Sequence, residues 1–76
     1  MNYYECEFSL ASPDKGTYSI CIKGERKPTP AEAERFCSSD MSMLNLTKCV
    51  AVDELTHDEA FMFYDMSRES EFPIFR

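Results

Sequence analysis

Histidine and cysteine are the side chains with which this chain of 76 residues could most readily carry out chemistry, because they supply bases, nucleophiles and metal ligands. It has one histidine, His57, and four cysteines, Cys6, Cys21, Cys37 and Cys49. No cysteines form the CxxC pair that zinc sites use, and His57 has no second histidine beside it. Strand alternation places Cys6 and Cys21 on opposite faces. We therefore expect free thiols that pack as small apolar side chains, with no metal and no cofactor, although their redox state stays open.

Carboxylates are the other group that could do chemistry: Asp and Glu number 14 against 8 Lys and Arg, for a net charge of −6. Asp53, Glu54, Asp58 and Glu59 lie around His57, but nothing places a thiol there to form a Cys–His pair, and no calcium-loop ladder is present. The sequence therefore predicts a protein that is not an enzyme. An acidic surface repels nucleic acid and attracts basic proteins, although excess carboxylates can also serve solubility alone.

Two stretches of alternating apolar and polar residues determine where Glu5 and Glu7 lie. From Tyr3 to Leu10 every second side chain is apolar, and the same period of two returns from Thr17 to Lys23. The segment Ser12–Gly16 between them contains proline and glycine, which are turn residues. The pattern predicts an antiparallel hairpin that turns Glu5 and Glu7 away from the apolar face.

A helix should follow the hairpin. Thr29, Pro30 and Glu32 fit the N-cap, the first helical position and the N3 glutamate of a capping box. We expect this helix to run to about Asp40 or Met41, with its apolar side against the sheet.

The stretch from Leu46 to Met66 holds the densest apolar material. We predict a strand over Leu46–Asp53, an acidic tip, and a fourth strand over Ala60–Met66, because FMFY is rich in strand-favouring residues. The alternative is a second helix over residues 57–69, since Thr56–Glu59 is also a capping box. We favour the strand because four bulky residues leave a helix no clean polar face. The sequence does not decide between the two. Phe72–Phe75 is expected to form a last edge strand.

These elements predict a single domain over residues 1–76, of the α+β class. An antiparallel sheet of four to five strands, in the order ββαββ(β), would carry one helix on one face. The other face would display Tyr3, Glu5, Glu7 and part of the FMFY run, a mixture of aromatics and carboxylates suited to protein binding. The first residues lack a basic and apolar leader, so we expect a cytoplasmic protein without membrane contact.

In size, acidity, lack of enzymatic motifs and order of elements, the chain resembles the small phage-encoded inhibitors of host defence, including the anti-CRISPR type. The resemblance implies that the chain occupies a basic, nucleic-acid-binding surface of a host protein, such as a nucleic-acid-guided effector, in the host cytoplasm. It assigns no residues, because it rests on layout and composition.

The partner-binding residues are instead predicted from shared charge and expected exposure. They are Glu5, Glu7, Asp53, Glu54, Asp58, Glu59, Tyr64 and Asp65. The alternative function is a homodimeric structural or regulatory protein without catalytic activity, which would pair through Phe72–Phe75. The sequence leaves both the partner and the oligomeric state open.

Overall fold

The elements are taken from a computed structural model, which describes residues 1–11 and 16–76. In chain order they are β1 (Asn2–Leu10), β2 (Thr17–Gly24), α1 (Pro30–Phe36), α2 (Ser38–Met43), β3 (Leu46–Leu55), α3 (His57–Phe63), a 3₁₀ helix (Met66–Glu71) and β4 (Ile74–Phe75). Among the described residues there is no helix with the length and apolar character needed to cross a membrane.

The four strands form one sheet in the order β3-β1-β2-β4. The predicted hairpin is confirmed, because β1 and β2 pair antiparallel with Tyr3 opposite Lys23. Of its predicted turn, Ser12–Gly16, residues 12–15 lie outside the described residues. β1 also pairs antiparallel with β3, whereas β4 runs parallel to β2. The α+β class is therefore confirmed, but the sheet is mixed and not purely antiparallel.

The predicted capping box begins α1. The Thr29 hydroxyl accepts a hydrogen bond from the Glu32 N–H at 3.2 Å, and the Glu32 carboxylate accepts one from the Thr29 N–H at 3.0 Å. The helix ends earlier than expected, because the backbone leaves helical geometry at Cys37 (φ −99°, ψ 19°). A second short helix, α2, follows at once, so the predicted single helix is two.

The predicted strand over Ala60–Met66 is wrong, because the chain forms α3 there. Thr56 and Glu59 make a complete capping box, with hydrogen bonds of 3.1 and 3.0 Å between side chains and backbone. β3 also extends two residues beyond its predicted end, to Leu55. The acidic segment is therefore a junction between a strand and a helix, and not the tip of a hairpin.

Both faces of the sheet are covered. On one face, α1 and α2 lie over a core that includes Tyr4, Cys6, Phe8, Ile22, Cys37, Leu46, Cys49, Val52 and Phe75. On the other, a smaller cluster joins Cys21, Leu55 and Ala60 to Tyr3, Tyr64, Met66 and Phe72. Because α3 and the 3₁₀ helix supply this second layer, the expectation of one helix on one face is wrong. The face that was predicted to be open is partly covered.

Candidate protein-binding surface

Four predicted site residues surround the junction between β3 and α3. Asp53 and Glu54 lie just before Leu55, the last residue of β3, while Asp58 and Glu59 lie in the first turn of α3. All four are exposed. Leu55, Thr56 and His57 separate the two pairs, and the first two are held in place: Leu55 is buried, and Thr56 caps the helix. The carboxylates are thus displayed on a well-anchored turn of the chain.

The outer side of α3 is apolar. Phe61, Met62 and Phe63 keep 57%, 75% and 61% of their surface exposed, whereas Ala60 is fully buried against the sheet. Residues four apart in a helix are neighbours, so Met62 follows Asp58 and Phe63 follows Glu59 on the helix surface. Glu54 lies opposite Tyr4 and so points to the other face of the sheet, whereas Asp53 shares the face of Leu55 and α3. We call the group formed by Asp53, Asp58, Phe61, Met62 and Phe63 the α3 surface.

Ion pairs are found elsewhere in the molecule. Within the described residues, the salt bridges join Lys23 to Glu69, Arg26 to Glu32 and Arg68 to Glu71. None of these includes a predicted partner-binding residue. Among the described residues, the carboxylates of the α3 surface therefore form no salt bridge, which leaves them available to a basic partner.

Two predicted site residues have structural roles. Hydrogen bonds from the backbone and side chain of Thr56 lower the pKa of Glu59, whose carboxylate closes the capping box of α3. Asp65 caps the 3₁₀ helix, where it accepts hydrogen bonds from the side chain and backbone of Ser67, and these lower its pKa. Both are exposed, but capping alone accounts for their presence.

Glu5 and Tyr64 form a contact beneath α3. The Tyr64 hydroxyl donates a 2.8 Å hydrogen bond to Glu5, and burial together with this bond raises the pKa of Tyr64. Glu5 also lies directly opposite Asp53 in the sheet, and like charges in that position repel. Glu5 and Glu7 are half-buried. The side chains of Glu5, Glu7 and Tyr64 are therefore less exposed than the sequence predicted.

His57 is part of an aromatic contact. Its ring centroid is 4.6 Å from that of Phe61 and 6.4 Å from that of Tyr3. The cavity beside it, of about 320 Å³, is lined in the described part of the chain by Met1, Asn2, Tyr3, Glu54, Leu55 and Thr56. No thiol faces His57 there, and no three potential metal ligands come together among the described residues. The arrangement offers surface contact, and the absence of catalysis stays a prediction.

All four cysteines are buried and unbridged, as the packing interpretation predicted. A hydrogen bond with Cys37, together with burial, raises the pKa of Cys6. Burial also raises the pKa of Cys21 to about 11. The same hydrogen bond lowers the pKa of Cys37, against its burial. The thiols of Cys6 and Cys21 are consequently protonated and act as apolar side chains near neutral pH.

Sequence reasoning named the carboxylates of the α3 surface but assigned its apolar residues to a strand. The capping box at Thr56 was the signal for the helix that exposes Phe61, Met62 and Phe63. The predicted edge strand at Phe72–Phe75 is present only as β4, in which Phe75 is buried in the main core.

Comparisons of this chain with models of protein families, with curated proteins and with solved structures found no match. A function must therefore be argued from the surface itself. That surface combines exposed carboxylates with exposed apolar side chains on one short helix and the strand before it.

Proposed function

We propose that this chain is a small protein-binding inhibitor that uses the α3 surface to occupy a basic, nucleic-acid-binding surface of a host defence effector. The observation that carries the proposal is the exposure of Phe61, Met62 and Phe63 next to carboxylates that have no ion-pair partner among the described residues. Large exposed apolar side chains with a charged surround are typical of interaction sites.

The two parts of the α3 surface have different tasks. Carboxylates attract a basic partner over several ångströms and take the place that phosphates would occupy. The three apolar side chains supply most of the affinity, because they leave water when the complex forms. The resemblance to phage-encoded inhibitors contributes the class of partner, and the inhibited partner would lose access to its nucleic acid.

The experiment is capture of a partner from a bacterial lysate by the immobilised protein, at low and at high salt. Asp58→Lys and Met62→Ser change the two parts of the α3 surface, one residue each. The control is Glu25→Lys, which makes the same change of charge at an exposed residue after β2, two strands away from β3.

We expect each α3 variant to weaken capture about tenfold, equivalent to about 1.4 kcal/mol, and the control to capture as the parent does. Salt should release the partner from the parent, because ions screen the carboxylates. Added DNA or RNA should compete for the captured partner. Equal capture by all variants, or a partner without affinity for nucleic acid, would rule the proposal out.

A further inference from the structure

The outer edge of β2 is paired over only two residues. Lys23 lies opposite Ile74 and Gly24 opposite Phe75, and the Lys23 N–H donates to the Pro73 carbonyl at 3.0 Å. The pairing starts at Ile74, which is the first residue of β4. In the part of the chain that the structure describes, the residues of β2 before Lys23 have no neighbouring strand on this side, because the order of the sheet is β3-β1-β2-β4.

The backbone groups on that edge point outward. In an antiparallel pair, successive residues direct their N–H and C=O groups alternately toward and away from the partner strand. The Leu10 N–H donates to Gly16, and the Lys23 N–H points away from β1. Residues an even distance before Lys23, Ser19 and Cys21, must therefore also face outward. Within the described residues, their N–H and C=O groups have no backbone hydrogen-bond partner on this edge, since β4 pairs only with Lys23 and Gly24.

A groove of about 350 Å³ runs beside these groups. Leu44, which follows α2 and is 37% exposed, forms one wall together with Asp40. Tyr64 and Phe72 form the other wall, which belongs to the layer on the opposite face of the sheet. A strand laid against β2 would therefore send its alternate side chains toward two different walls.

The charge of the groove has one sign. Of its lining residues among the described part of the chain, the charged ones are Asp40 and Glu71, and none is basic. Glu71 is paired with Arg68 outside the groove, which leaves Asp40 as the carboxylate without an ion pair among the described residues. A ligand with cationic side chains is complementary to this groove.

We propose that the edge of β2 at Ser19 and Cys21 binds an extended peptide segment of a partner protein, in which basic residues alternate with apolar ones. The segment adds a strand to the sheet: its main-chain groups bond the outward groups of β2, and its side chains enter the groove. Proteins generally protect such edges, whereas residues 16–76 leave this one unpaired between the two walls of the groove. The site lies at the β2 edge of the sheet, with β1 between it and β3, and no side chain of the α3 surface lines the groove.

The test uses the isotopically labelled full chain and a capped six-residue peptide that alternates Lys with Val, followed by NMR titration. We expect the largest shifts at Ser19 and Cys21, and slower hydrogen exchange of their amides in the bound state. A peptide that is N-methylated at the backbone amides facing β2 keeps its side chains but loses those hydrogen-bond donors. It should bind about tenfold more weakly. Equal binding of the two peptides would overturn the proposal.

Variants separate the backbone from the charge. Ser19→Pro removes an outward N–H that β1 does not use, and proline is tolerated at such edge positions. It should abolish binding, while Ser19→Ala should bind as the parent does. Asp40→Lys should reverse the preference toward a peptide that alternates Glu with Val.

Shifts confined to residues outside the groove, or an unchanged preference in Asp40→Lys, would contradict the site. A concentration-dependent dimer that Ser19→Pro dissociates would also contradict it, since the occupant would then be a second copy of this chain. The variants Asp58→Lys and Met62→Ser should bind the peptide normally, so failure of this site is distinguishable from failure of the α3 surface.

Discussion

The Glu32 carboxylate is the most heavily bonded acid in the described chain. It accepts two hydrogen bonds from Arg26 and one from the Thr29 N–H, and the Arg26 bond is the larger cause of a pKa lowered from 4.5 to about 2. A carboxylate with a lowered pKa stabilises the folded state above its unfolded pKa. That contribution is lost as the pH falls. Here the loss falls between pH 4.5 and about 2.

We expect Glu32→Gln to be less stable than the parent at pH 7 and to lose less stability on acidification from pH 4.5 to 2. The reason is that glutamine cannot titrate and cannot form an ion pair with Arg26. Chemical denaturation at a series of pH values measures the difference. Glu25→Gln is the control, which should follow the parent. Parallel curves for parent and Glu32→Gln would show that this carboxylate does not contribute to acid unfolding.

At the scale of the element, α3 is a helix because of its cap and despite its exposed apolar residues. The seven-residue helix buries Ala60, and isolated helices of that length are unstable in water. The Thr56 hydroxyl and the Glu59 carboxylate satisfy backbone N–H groups at its start. The α3 surface therefore depends on a capping box that lies outside it.

Thr56→Ala should destabilise the protein by about 1 kcal/mol, the usual cost of removing such a cap. It should also weaken partner capture, because Phe61 and Met62 lose their fixed positions. Thr56→Ser keeps the hydroxyl and is the matched control. Urea denaturation and the capture assay measure the two effects. A Thr56→Ala protein with the stability of the parent would mean that packing of Ala60 alone holds α3.

At the scale of the whole molecule, two apolar clusters share one sheet. Cys6, Cys37 and Cys49 lie in the larger cluster and Cys21 in the smaller. β1 contributes to both, since Cys6 and Tyr3 lie on its opposite faces. A chain this small gains stability only when most of its apolar surface is buried at once. We therefore expect the two clusters to unfold together.

Thiol labelling tests this cooperativity. Iodoacetamide should label none of the four cysteines rapidly in the native protein, because all are buried and burial disfavours the thiolate. In increasing urea all four should become reactive over one transition. Mass spectrometry of digested samples assigns each label. Earlier labelling of Cys21 alone would show that the layer formed by α3 and the 3₁₀ helix opens separately.

Parts of this fold follow from neighbours in the sequence. The period of two from Tyr3 to Leu10 and from Thr17 to Lys23 predicted the hairpin, and Thr29 with Glu32 predicted the start of α1. Each signal acts within a few residues, through alternate burial on a strand or through orphan backbone donors at a helix start. The carboxylates of the α3 surface were also predicted, because charge is read directly from residue types.

The tertiary structure decided between strand and helix for the FMFY run. Its residues favour a strand, its cap favours a helix, and the balance depends on whether Ala60 and Tyr64 find the second cluster on the sheet. The pairing of β4 with β2 and the hydrogen bond from Tyr64 to Glu5 likewise join residues that are far apart in the chain. Composition and local spacing determined the hairpin, the helix starts and the negative charge, because those depend on nearby atoms. Only packing between distant segments decided which faces are covered and which side chains remain exposed.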